Sequence, residues 1–81
     1  MTREEVFEKL NTIFRRNFDD ENITLSNETS ANDIEDWDSL EQINLVVAIQ
    51  DEFGIKFNID EVNAMKNVGE MVNFILEKIG V

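Results

Sequence analysis

An all-α fold, a small four-helix bundle of three longer helices and one short one, is what this sequence predicts. Three observations carry the prediction. Apolar residues recur at three- and four-residue spacings in separate segments. Each segment follows a residue of the kind that caps helix N-termini, and two of them run into a glycine. No stretch shows the sustained alternation of a half-buried strand, and proline is absent. With 81 residues, 42% of them hydrophobic, the chain can build one modest core and is read as one domain over residues 1–81.

The first helix is expected over Arg3–Phe18. Thr2 and Glu5 have capping-box spacing, so each can satisfy a backbone amide near the other. Val6, Leu10, Ile13 and Phe14 share one face, with Phe7 beside it. Residues 19–37 read as a long polar connection. A loop that long normally counts against an assignment. Ile23, Leu25, Ile34 and Trp37 punctuate it, however, and can pin it to the bundle as an ordered loop. Trp37 in particular is expected to anchor that loop. The second helix is expected over Ser39–Phe53, with Asp38 as N-cap, Glu41 three residues on and Gly54 closing it. A short helix near Ile59–Ala64 has Asn58 and Glu61 as its cap pair. The last runs over Val68–Ile79, begun by Asn67 with Glu70 and ended by Gly80. Its buried stripe is Val68, Val72, Ile75 and Ile79.

The second helix has more apolar residues than one stripe needs. Leu45, Val46, Ile49 and Phe53 share the natural core face. Leu40, Ile43 and Val47 project to one side of it. Either the short helix covers them or they stay partly exposed as a partner-docking strip. Leu40, Glu41, Asn44, Val47 and Asp51 would form that surface. Apolar anchors inside an acidic rim suit a transient complex with a basic, apolar-pocketed partner.

Charge narrows the function classes. The net charge is −11. Four of the seven basic residues, Arg3, Lys9, Arg15 and Arg16, lie in the first segment, and no other occurs before Lys56. The intervening acidic stretch disfavours nucleic acid and anionic membranes and favours basic protein patches. No apolar run approaches the roughly 20 residues that span a bilayer, so no membrane insertion is expected. The charged N-terminus is unlike a signal peptide, and a cytoplasmic location is the default expectation. Cysteine and histidine are absent, which removes disulfides, thiol chemistry, and the commonest general base and transition-metal ligand.

Ser39 is the chemically interesting residue. As the first residue of its helix it stands near free amides and the positive end of the helix dipole, both favourable to a phosphate. A serine hydroxyl needs a neighbouring base to become a nucleophile. With no histidine available, and exposed carboxylates being weak bases, Ser39 reads as an acceptor modified by a second protein. The competing reading of Asp38-Ser39 is an ordinary capped helix start.

The run DSLEQINLVVAIQDEFGIKF, residues 38–57, resembles the signature of the acyl carrier protein family. The likeness continues in register through Val62, Met65 and Val68 and covers nearly the whole chain. The resemblance implies an acyl-carrier-type domain over residues 1–81 that has no catalysis of its own and works as a monomer. It implies a 4′-phosphopantetheine arm on Ser39, with Asp38 and Leu40 as the flanking motif. It implies a phosphopantetheinyl transferase that uses coenzyme A and magnesium to install the arm. It further implies acyl or aminoacyl cargo held as thioesters, partner enzymes that load and process it, and no bound metal. By the same resemblance Val47, Val62 and Met65 are candidates to line an acyl cleft between the second and third helices. Fatty-acid carriers of the housekeeping type have a small or aliphatic residue where this chain has Trp37, and tend to carry Glu at Asn44 and Gln50. Both differences are expected around the docking surface. The Trp-Asp-Ser-Leu start, residues 37–40, resembles discrete carriers of specialised pathways such as polyketide, modified-lipid, surface-glycan acylation or aminoacyl-transfer systems.

Two other classes remain in view. An acidic interaction module responding to calcium is suggested by the carboxylates of residues 33–38. No window there has the glycine at the sixth position and glutamate at the twelfth that an EF-hand loop uses. An enzyme is disfavoured, since no carboxylate pair has a convincing pocket.

Overall fold

Helices form where the caps place them: α1 (Arg3–Phe18), α2 (Ser39–Phe53), α3 (Ile59–Ala64) and α4 (Val68–Ile79). This computed structural model describes residues 1–80, and among them there is no strand. At α1, Thr2 Oγ1 accepts from the Glu5 amide and Glu5 Oε1 accepts from the Thr2 amide at 2.9 Å, completing the capping box. Asn58 and Glu61 do the same for α3. The Thr2 backbone N–H is the main reason the Glu5 carboxyl titrates below its usual range. At α2 and α4 only half of each predicted pair forms. Asp38 and Asn67 accept from Glu41 and Glu70, but those glutamates do not reach back. Glu41 Oε1 accepts from Asn44 Nδ2, and Glu70 Oε2 from the Lys66 amide.

Gly54 and Gly80 end their helices in the left-handed region, at φ 66° and 77°. Asp19 ends α1 in the same region, at φ 51°, without being glycine.

The core lies where α1 packs on α2 and α4. Val6, Leu10 and Phe14 from α1, Leu45 and Ile49 from α2, and Val68, Met71, Val72 and Ile75 from α4 are fully buried. No polar or charged residue is buried among the described residues. Fully burying one such apolar side chain contributes about 1.5–3 kcal/mol, so this cluster dominates the fold's stability.

The long loop is ordered, as its apolar residues predict. Leu25 and Trp37 are buried, while Ile23 and Ile34 pack half-buried against the core. Polar contacts complete the attachment. Asn11 Oδ1 accepts from the Leu25 amide at 2.8 Å, and Arg15 Nε donates to the Ile23 carbonyl at 2.6 Å. The loop also crosses the start of α4. There the carbonyls of Thr29 and Asn27 accept from the amides of Val68 and Gly69, at 2.8 and 3.0 Å. Arg3 locks the crossing by donating to Asn27 Oδ1 and Asn73 Oδ1, both at 2.7 Å.

α3 is attached differently, since none of its residues is buried. Lys78 of α4 reaches Glu61 Oε1 at 3.0 Å and lies over the Phe57 ring. The Asn58 backbone N–H first, and Lys78 second, hold the Glu61 carboxyl below its usual range. Gln50 departs from expectation here. It is half-buried, and its Oε1 accepts from the Phe57 amide at 2.9 Å, tying α2 to the segment before α3.

Candidate functional site

The approach to α2 is built by the loop. The Trp37 amide donates to the Ile34 carbonyl and the Asp38 amide to that of Asp36, both at 3.1 Å. These bonds turn the chain so that Asp38 is extended and Ser39 begins the helix. Trp37 is 7% exposed, and its ring meets Phe14 edge-on with centroids 5.1 Å apart. It is the loop anchor that its position suggested. Its indole Nε1 donates to Gln42 Oε1 at 2.7 Å, a contact the sequence did not reveal.

Ser39 is exposed, and its hydroxyl makes no hydrogen bond among the described residues. Asp38 Oδ1 accepts from the Glu41 amide at 2.9 Å, and the Asp38 carbonyl from the Gln42 amide. The amides of Ser39 and Leu40 have no partner among the described residues. The start of α4 contrasts with this, because the loop carbonyls take its first two amides. α2 therefore presents donors and a positive dipole end beside an accessible hydroxyl, which suits a phosphate ester there. The chain has no histidine, and no carboxylate is hydrogen-bonded to the Ser39 hydroxyl among the described residues.

An open groove of about 480 Å³ runs beside Ser39. Ser39, Gln42 and Ile43 line it from α2, and Ile59, Val62 and Met65 from α3 and its cap. Of the three cleft candidates, Val62 and Met65 line this groove and Val47 does not. The groove follows the first turn of α2, so Ile43, one turn earlier than Val47, takes that place.

The apolar strip is not covered by α3. Leu40, Ile43 and Val47 are 66%, 58% and 50% exposed, and Ile59 across the groove is 71% exposed. Asn44 and Asp51 are exposed beside them, and Glu41 is half-buried. α2 contains no basic residue. Among the described residues, no group of three or more acidic side chains could hold a metal ion, and no helix is long and apolar enough to cross a membrane.

Residues 8–75 match the family model described as the phosphopantetheine attachment site. The acyl carrier protein of Petrotoga mobilis is 35% identical, with 100% of this chain and 95% of that protein covered. That of Lactobacillus acidophilus is 33% identical over 93% of this chain and 94% of its own length. The solution structure of a holo acyl carrier protein from Geobacter metallireducens superposes with a TM-score of 0.86 at 44% identity, covering 90% of this chain and 84% of that one. The residues here fit the prosthetic group that the family model names: an accessible serine, two unpartnered amides at a helix start and an adjoining groove. The chain belongs to the acyl carrier protein family, whose members are carriers bearing covalent 4′-phosphopantetheine and not enzymes.

Proposed function

We propose that Ser39 is the attachment point of the 4′-phosphopantetheine arm. The observation that carries this is the exposed Ser39 hydroxyl in Asp38-Ser39-Leu40, at the open N-terminus of α2. When attached, the arm supplies a terminal thiol that holds acyl or aminoacyl groups as thioesters. The chain's own part is to display and dock. Asp38 caps the helix and leaves the Ser39 and Leu40 amides free for the phosphodiester. Leu40 and Val47 offer apolar anchors, with Glu41, Asn44 and Asp51 around them. This surface complements partner enzymes with basic docking faces, the phosphopantetheinyl transferase among them. The groove between α2 and α3, with Val62 and Met65 in its lining, offers apolar cover to the cargo.

Trp37 and Asn44 differ from the housekeeping pattern beside this site. They favour a specialised discrete carrier, working as a single chain in lipid, polyketide or related biosynthesis. Incubation with coenzyme A, magnesium and a broad-specificity transferase tests the attachment. The wild type should gain the mass of the arm and Ser39→Ala should not. An equal gain on Ser39→Ala, or none on the wild type, refutes it.

A further inference from the structure

Beside Ser39, a side-chain hydrogen-bond donor is held in a fixed orientation and has no partner among the described residues. An indole N–H only donates, so the Trp37–Gln42 contact of 2.7 Å must present Gln42 Oε1 to the ring. Gln42 Nε2 is thereby turned away from the indole. It makes no hydrogen bond among the described residues and is not buried as an unsatisfied atom. Trp37 is packed on Phe14 in the core, so the carboxamide has a rigid support. Gln42 follows Ser39 by three residues, which puts the two on neighbouring positions of one helix face. Both line the same groove.

We infer that Gln42 Nε2, oriented by Trp37, donates to an amide carbonyl of the phosphopantetheine arm and seats that arm along the groove between α2 and α3. The inference rests on the Ser39 reading. An arm lying against Ile43, Ile59 and Met65 takes its amide carbonyls partly out of water, and each then needs a donor. Asn63 and Lys66 also line the groove, but both are exposed and no hydrogen bond fixes either side chain. Gln42 is the donor whose direction is set before the arm arrives, so the least freedom is lost in using it. Trp37 acts through Gln42 and is a positioning residue.

Heteronuclear NMR of isotope-labelled protein, before and after loading with coenzyme A by a transferase, tests this, with mass spectrometry confirming complete loading. Loading should shift the Gln42 side-chain NH2 and the Trp37 indole N–H, and give nuclear Overhauser contacts between the arm and the Trp37 ring. Gln42→Glu keeps an acceptor for the indole and removes the donor. Gln42→Met removes the donor without adding charge. Compared at complete loading, both should lose the arm contacts, and Gln42→Glu should keep the Trp37 ring in place. Trp37→Phe keeps a ring on Phe14 but frees the carboxamide, so the Gln42 NH2 should no longer shift on loading. Complete loading with the Gln42 NH2 unmoved, or arm contacts that persist in both Gln42 variants, overturns the inference alone. Absence of the mass gain overturns the Ser39 reading, and the inference with it.

Discussion

Gly69→Ala should destabilise the protein although alanine is the better helix former. Gly69 lies in the first turn of α4, directly beneath the crossing loop. A β-carbon there would stand 2.9 Å from the Asn27 carbonyl oxygen, 3.2 Å from Asn27 Cβ and 3.3 Å from Asn27 Cα. Two of these three atoms are backbone, so the loop itself must move. Movement strains the bonds from Gly69 and Val68 to Asn27 and Thr29, and the Arg3 contact to Asn27 Oδ1. Helix propensity favours alanine by at most about 1 kcal/mol. Overpacking costs about 1–3 kcal/mol, and a lost hydrogen bond about 0.5–1.5 kcal/mol. The net is a loss of about 1–2 kcal/mol, which lowers the melting temperature by about 5–15 °C in a domain of this size. Thermal unfolding followed by far-UV circular dichroism at fixed ionic strength measures it. Faster hydrogen exchange at the Val68 amide would place the damage at the crossing. A melting temperature equal to or above that of the wild type would show slack in the loop and refute the reasoning.

Asp19→Gly should stabilise the fold by about 0.5–1 kcal/mol, because it removes both a left-handed non-glycine residue and a negative charge from the C-terminal end of α1; a lower urea midpoint contradicts this. Added salt or magnesium should raise the melting temperature, since a chain of net charge −11 repels itself; a flat response counts against repulsion. Glu61 has a lowered folded-state pKa, so its contribution is present above the ordinary glutamate range and disappears as pH falls through the depressed value. The stability gap between the wild type and Glu61→Gln should therefore narrow on acidification, and denaturant midpoints across the acid range that show a constant gap contradict it.

Much of the fold is legible in the sequence because each helix start carries its own signal. Thr2, Asp38, Asn58 and Asn67 mark the four helix starts by local chemistry alone. The end of α1 is less visible, because Asp19 takes a conformation usually reserved for glycine. Periodicity separates Leu40, Ile43 and Val47 from the core stripe but does not say whether a neighbour covers them. That depends on how far α3 stands from α2. The same limit applies to the site. Ser39 and its accessible position follow from the cap and the motif. The pairing of Trp37 with Gln42, the use of Gln50 by Phe57, and the choice of Ile43 over Val47 in the groove all depend on packing in three dimensions.

The attachment of α3 has a consequence for divergence. Its six residues add nothing buried to the core, and a few contacts through Glu61 and Lys78 hold it. Exposed substitutions of this kind change stability by about 0.5 kcal/mol or less. Ile59, Asp60, Asn63 and Ala64 can therefore be exchanged while Asn58 and Glu61 keep the helix capped. One side of the groove beside Ser39 is thus free to vary in shape and charge, so related carriers can acquire new partners without rebuilding the bundle.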